Sequence, residues 1–278
     1  MRLSEASALL AKAGIDSPLR EARQLFSHFT GMGIHLLLGS DHETDIPEFE
    51  EAVRLRAERY PLQYIIGEVG FYREKYKVAP GCLIPREDTE ILVDYAVKNL
   101  TRGATFLDLC TGSGCIAISV LSNTGDTVAI GADLSGQALE IAKENARLNG
   151  VSDRLRLVLA DALADILCAD ESDPTRLYDA ILSNPPYVTN SAYESLEPEL
   201  YHEPKMALVG GEDGLDFYRS ITARYKNLIK KEGFIAYEIG FDQADGLRTI
   251  AEKNNMTAEF LTDLSGNPRV AVLRRKSE

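Results

Sequence analysis

The segment Phe106-Leu107-Asp108-Leu109-Cys110-Thr111-Gly112-Ser113-Gly114-Cys115 passes from an apolar strand into a small-residue loop and then into a helix. The same change of hydrophobic period recurs along the rest of the chain. Strands are predicted at Thr105–Leu109, Thr127–Asp133, Leu155–Leu159, Ala180–Ser183 and Gly233–Glu238, with helices between them. The helix over Gly136–Asn149 takes Ser135 as its cap and Gly150 as its stop. Such alternation implies an α/β fold, a doubly wound and mostly parallel sheet covered by helices on both faces. Two more strands, Ala258–Thr262 and Arg269–Arg274, flank a Ser265-Gly266-Asn267-Pro268 turn. They bring the sheet to seven strands and predict an antiparallel strand at one edge.

The first sixty residues follow a different pattern. Leu3, Ala6, Leu9 and Leu10 recur at helical spacing until Gly14, and Ser17-Pro18 supplies a cap with proline at the first helical position. Asp45-Ile46-Pro47 opens a third helix that Pro61 stops. Tyr64-Ile65-Ile66-Gly67 and Tyr76-Lys77-Val78 read as two short strands, with Pro80-Gly81 and Pro85 at the exit. The chain therefore divides into a small helical bundle over residues 1–61, a β-hairpin linker over 62–85 and an α/β domain over 86–278.

Charge limits the partners. The formal net charge is −13, from 30 basic and 43 acidic residues, and neither the helical segment nor the remainder is net basic. Nucleic-acid binding depends on neutralising phosphates, so no direct nucleic-acid contact is expected. A small cationic cofactor or a basic protein suits an acidic surface better. Cys82, Cys110, Cys115 and Cys168 form no C-x-x-C pair and have no histidine cluster beside them, so reduced thiols and no metal are expected. The N-terminus lacks a signal-peptide pattern, and no run of apolar residues approaches the length of a membrane span. A cytoplasmic monomer without membrane contact is the expectation.

The loop after the first α/β strand carries chemistry. Its glycines let the backbone pass close under a nucleotide, and the helix start offers free N–H groups to a carboxylate. Asp133 ends the next strand, where an acid can accept both hydroxyls of a ribose. Gly112-x-Gly114-x-x-Ala117 also satisfies a dinucleotide fingerprint, so these residues alone leave a nicotinamide-dependent oxidoreductase open.

The fourth α/β strand ends at Ser183 and is followed by Asn184-Pro185-Pro186-Tyr187. Ligands of an open parallel sheet sit beyond the carboxyl ends of its strands, so this tetrapeptide should face the cofactor. Two prolines remove two donors and leave carbonyls free. The Asn184 side-chain oxygen and the Pro185 carbonyl can each accept one N–H of a planar nitrogen, and the Tyr187 ring offers a face for stacking. A nicotinamide dehydrogenase has no use for such an acceptor pair.

With these motifs in place, the chain resembles the family of N5-glutamine methyltransferases that modify peptide-chain release factors. The resemblance covers nearly the whole length. It runs through Pro61-Leu62-Gln63-Tyr64-Ile65-Ile66-Gly67, Leu83-Ile84-Pro85-Arg86-Glu87-Asp88-Thr89-Glu90, the glycine loop, Ser183-Asn184-Pro185-Pro186-Tyr187, Glu203-Pro204, Gly214-Leu215 and Glu238-Ile239-Gly240. It implies the class I methyltransferase fold, with S-adenosylmethionine as cofactor and the glutamine of a Gly-Gly-Gln loop as acceptor. On this reading Asp108, Cys110, Thr111, Gly112, Ser113, Gly114, Asp133, Asp161, Ala162 and Asn184 form the cofactor site. Asn184, Pro185, Pro186 and Tyr187 hold the substrate, with Asn184, Pro185 and Tyr187 catalytic. The helical segment would orient the release factor, and Glu203 would shape the loop over the site. Adenine and guanine N-methyltransferases share the tetrapeptide and form the main alternative. The sequence departs from the family pattern at Cys110, where glycine is usual, and at Ala162, where an aromatic often lies against adenine.

Overall fold

A computed structural model describes residues 1–170, 172–173 and 175–276; positions 171, 174, 277 and 278 of the expected 86–278 domain lie outside the described residues. Contacts divide the chain into two units, Met1–Glu68 with Glu197–His202, and Val69–Leu196 with Glu203–Glu278.

The first unit is helical, with α1 (Leu3–Lys12), α2 (Pro18–Thr30), α3 (Pro47–Ala57) and α4 (Leu62–Ile66). Leu3, Ala6 and Leu10 bury one face of α1 against Leu25, Phe26, Phe49 and Val53. The Phe26 and Phe49 rings meet edge to face at 5.3 Å. A fully buried side chain of this size contributes roughly 1.5–3 kcal/mol, so these contacts rather than helix propensity hold the bundle. Proline occupies the first position of α2 and α3, where its missing N–H is no loss. Ser17 precedes α2 as expected, but its side chain makes no capping bond. Its ψ of 58° is far from the extended geometry that aims a cap oxygen at the first turn. The Arg56 guanidinium, 7% exposed, is bound by Glu21 at 2.5 Å and by Glu199 at 3.0 Å. Burial opposes its charge, and these carboxylates outweigh the opposition.

Tyr64-Ile65-Ile66-Gly67, expected as a strand, lies instead in α4 and its cap. Pro61 starts the turn and Gly67 ends it in the left-handed region at φ 80°, so local capping overrides the strand preference of the two isoleucines. The hairpin begins after that stop, with β1 (Glu68–Phe71) paired to β2 (Glu74–Lys77).

The second unit continues through α5 (Thr89–Asn99), β3 (Thr105–Leu109), α6 (Cys115–Asn123), β4 (Val128–Asp133), α7 (Gly136–Leu148), β5 (Leu155–Leu159), β6 (Tyr178–Ser183) and α8 (Asn190–Tyr193). It ends with α9 (Asp216–Tyr225), β7 (Ile229–Glu238), α10 (Ala244–Lys253), β8 (Met256–Thr262) and β9 (Pro268–Arg275). Seven strands form one sheet in the order β5-β4-β3-β6-β7-β9-β8. β3 to β7 pair in parallel, with Phe106 opposite Ala129 on one side and Ala180 on the other. Both faces are covered. Phe106, Leu182, Phe234 and Ala236 enter one apolar cluster, while Leu107, Ile181, Ile235 and Tyr237 enter the other, as the period-two geometry of a strand requires.

One detail of the sheet differs from expectation. The antiparallel strand is not at the edge: β9 inserts between β7 and β8 and runs antiparallel to both. The crossover through α10 carries β8 one place beyond its neighbour, and the turn at Asp263–Asn267 returns β9 into the gap.

Candidate active site

The carboxyl ends of β3, β4, β5 and β6 open onto a cavity of about 400 Å³, a size suited to a nucleoside-like ligand. Of the residues singled out in the sequence, Cys110, Gly112, Asp133, Asp161, Ala162, Asn184 and Pro186 line it. Thr111 and Ser113 line a smaller recess of about 30 Å³ beside Ile84, Arg86 and Thr89. Cys110, Gly112 and Asn184 border both spaces. Asp108, Gly114, Pro185 and Tyr187 line neither.

The loop after β3 owes its shape to left-handed backbone. Cys110 has φ 59°, Gly112 55° and Gly114 79°. A side chain in that region costs of order 1 kcal/mol, which gives a physical reason for glycine at the position Cys110 occupies. Gly114 has a packing role: an added Cβ would stand 2.8 Å from Ile118 Cδ1 and 3.3 Å from Ala142 Cβ.

Asp108 was expected at the ligand, and the structure places it under the loop instead. It is fully buried, and one carboxyl oxygen accepts from the Thr111 hydroxyl at 2.6 Å and from the Ala117 N–H at 3.2 Å. Burial pushes this carboxyl up to about 7, against the lowering effect of those two donors. Its place in the chain points to holding the loop onto the start of α6.

Asp133 is at the cavity wall. One oxygen accepts from the Gly112 N–H at 2.8 Å and the other from the Ser135 N–H at 2.9 Å. Burial raises its pKa in spite of these bonds. A carboxylate has about four acceptor positions, so lone pairs remain for a vicinal diol. Ser135 caps α7 by accepting from Ala138 N–H at 3.2 Å.

Around this acid the wall is apolar. Leu134 follows Asp133 directly, and Ala162, Leu163, Met206 and Phe217 close the far side. Asp161 also lines the cavity, with one oxygen held by the Leu163 N–H at 2.8 Å. Leu134 had a local signal, as an apolar residue just past a strand-ending acid. Met206 and Phe217 had none, because they arrive from a segment remote in sequence.

At the tetrapeptide, the Asn184 side-chain N–H donates to the Thr89 hydroxyl at 3.2 Å, and its oxygen accepts nothing from the described residues. Pro185 is buried, and its carbonyl likewise has no donor among them. The Tyr187 hydroxyl donates to Glu238 at 3.4 Å, a partner the sequence did not suggest. Glu238 is fully buried at the end of β7, where burial pushes its carboxyl up to about 7 against the lowering by Thr89 and Tyr187. The Tyr187 carbonyl is fixed by the Gln243 side-chain amide at 3.1 Å. Glu203 ties two segments together, accepting from the Ile84 N–H at 2.9 Å and pairing with Arg86.

The thiols nearby are not nucleophiles at neutral pH. Burial raises Cys82 and Cys110 well above the ordinary range and pushes Cys115 up to about 12. Among the described residues no cluster of His, Cys, Asp and Glu could hold a metal ion.

Residues 2–67 match the family model described as the PrmC N-terminal domain, and residues 87–213 match that of the methyltransferase small domain. A protein of Cereibacter sphaeroides named release factor glutamine methyltransferase is 38% identical over 273 residues, which span 95% of this chain and 94% of that one. One of the same name from Thermodesulfovibrio yellowstonii is 35% identical over 268 residues, 92% of each chain. Among solved structures, the ribosomal protein L11 methylase of Lactobacillus delbrueckii subsp. bulgaricus is similar in fold, with a TM-score of 0.51 and 18% identity over 72% of this chain and 84% of that one.

Proposed function

This chain belongs to the release factor glutamine methyltransferase family, and from that premise we propose that it transfers a methyl group from S-adenosylmethionine to the side-chain nitrogen, N5, of the glutamine in a release factor's Gly-Gly-Gln loop. The observation that carries this reading is the pair of acceptors left without a donor among the described residues, Asn184 Oδ1 and Pro185 O, with Asn184 lining a nucleoside-sized cavity. A nicotinamide-dependent oxidoreductase needs no such pair.

The residues present fit the cofactor. Asp133 retains lone pairs for ribose hydroxyls, Leu134 and Ala162 offer apolar surface for a flat ring, and Asp161 can accept from an exocyclic amino group. Bound there, S-adenosylmethionine supplies a methyl group on a positively charged sulfur. The chain's own task is to prepare the nitrogen. An amide nitrogen is a weak nucleophile because its lone pair is delocalised into the carbonyl. Accepting both of its N–H bonds fixes its direction and favours the positive charge that builds on it. The extra proton then leaves readily to solvent, so no general base is assigned, and Glu203 remains a residue that shapes the loop.

The helical segment, residues 1–61, serves to orient the release factor. The net charge of −13 supports a basic protein partner over nucleic acid. We read the enzyme as a cytoplasmic monomer; among the described residues no helix is long and apolar enough to cross a membrane.

Two measurements bear on this reading. Asp133→Ala should weaken S-adenosylmethionine binding by about 1–3 kcal/mol, the scale for losing a charged hydrogen-bond partner; unchanged affinity by calorimetry on the folded variant would remove Asp133 from the site. Mass spectrometry of a release factor incubated with enzyme and cofactor should show one added methyl on the glutamine of Gly-Gly-Gln. An unmodified glutamine, with methyladenine or methylguanine appearing in added nucleic acid, would overturn the assignment.

A further inference from the structure

Three residues remote from one another in sequence meet behind the acceptor pair. Glu238, Thr89 and Asn184 form a chain of hydrogen bonds in which Thr89 Oγ1 donates to Glu238 Oε2 and accepts from Asn184 Nδ2 at 3.2 Å. Thr89 is 1% exposed and Glu238 2% exposed, so water does not compete for either. The order of the bonds follows from the donor inventory. An ionised carboxylate only accepts, and a hydroxyl has one proton to give. Once that proton is committed to Glu238, the Thr89 oxygen can meet Asn184 only as an acceptor. The asparagine must then turn its NH2 inward and its carbonyl oxygen outward.

We propose that Thr89 and Glu238 are positioning residues that fix the flip of the Asn184 side-chain amide, so that its oxygen and not its NH2 faces the substrate nitrogen. The inference rests on the reading of Asn184 as a substrate acceptor. It gives a function to Asp88-Thr89-Glu90 and Glu238-Ile239-Gly240, two segments that line no part of the larger cavity. The same carboxylate also accepts from the Tyr187 hydroxyl at 3.4 Å, so one buried acid anchors both ends of the tetrapeptide. An inverted amide would present two donors to a substrate NH2 that itself only donates, and would repel it.

The test compares Thr89→Val, which keeps the shape and loses the hydroxyl, with Thr89→Ser, which keeps the hydroxyl. Assays at about pH 8.5, above the value of about 7 to which burial pushes the Glu238 carboxyl, favour its ionised form. Thr89→Val should lower kcat for release-factor methylation about 10- to 100-fold, with the Kd for S-adenosylmethionine within about 3-fold of the unsubstituted protein. Thr89→Ser should restore kcat to within about 3-fold. Full activity in Thr89→Val, or equal damage in Thr89→Ser, would overturn the proposal. A second measurement needs no variant to be active. In the unsubstituted protein labelled with 15N, the Asn184 side-chain NH2, assigned by its absence in Asn184→Asp, should exchange with water at least about 10-fold more slowly than free asparagine. Exchange as fast as free asparagine would overturn it as well. Failure of the unsubstituted enzyme to methylate a release factor would instead count against the functional reading, and the exchange measurement would stand apart from that result.

Discussion

Asn184→Ala is expected to lower kcat for methylation of a release factor by about 10²–10³-fold, the range seen when one preorganised polar group is removed from developing charge. The side chain provides one of two acceptors for the reacting nitrogen, and its loss leaves the amide free to rotate away from the methyl. The fold should survive. Asn184 is only half-buried, and its single recorded bond is to Thr89, a hydroxyl that keeps its second partner in Glu238. Single-turnover rates with saturating cofactor separate this effect from binding. A variant that retains more than a tenth of the rate would exclude Asn184 as an acceptor and leave Pro185 to act alone.

How much of this was legible beforehand depends on sequence distance. The strands from β3 to β7 follow from short-range periodicity, and the loop after β3 follows from its glycines. Asp133 was legible because one rule places an acid at the end of the second strand and another opens the cavity there. Asp108 stands apart from the cavity for a related reason. It sits in the same strand-to-loop segment, but its side chain turns towards Ala117 near the start of α6 and lines neither space. At residues 64–67 a run of β-branched residues outvoted the proline and glycine that bracket it, and the brackets decided the structure. The swap of β8 and β9 could not be read from a turn alone, since a turn says that two strands pair and not which one lies outermost. Least legible was the support of the tetrapeptide. Glu238 lies 149 positions from Thr89, and Thr89 lies 95 from Asn184. No periodicity links them: Glu238 showed only as the end of a predicted strand, and Thr89 only within a segment that the resemblance marked.

The glycines beyond the tetrapeptide should matter almost as much as the tetrapeptide itself. The backbone after Tyr187 is paired with the stretch around Val209, with Val188 N–H donating to the Leu208 carbonyl at 2.8 Å and Gly210 N–H donating to the Val188 carbonyl at 2.9 Å. The approach is so close that a Cβ on Gly210 would lie 2.3 Å from the Pro186 carbonyl oxygen, and one on Gly214 would lie 2.2 Å from the Tyr187 carbonyl oxygen. These are backbone atoms, which cannot swing aside as the end of a long side chain can. Gly214 also sits at φ 71°, where a side chain is strained in any surroundings. Relief must come from a shift of Pro186 and Tyr187, which moves the acceptors off the reacting nitrogen. A displacement near 1 Å can lower a rate about 10²-fold, so Gly210→Ala and Gly214→Ala are each expected to lose about that factor in kcat. Gly214 does not line the cavity, so its variant should bind S-adenosylmethionine nearly as well as the unsubstituted protein. Gly125→Ala, which adds its Cβ into open space, is the control and should leave the rate unchanged. A Gly214→Ala enzyme with full activity would mean that the tetrapeptide tolerates movement, and positioning would then be the wrong account of its catalysis.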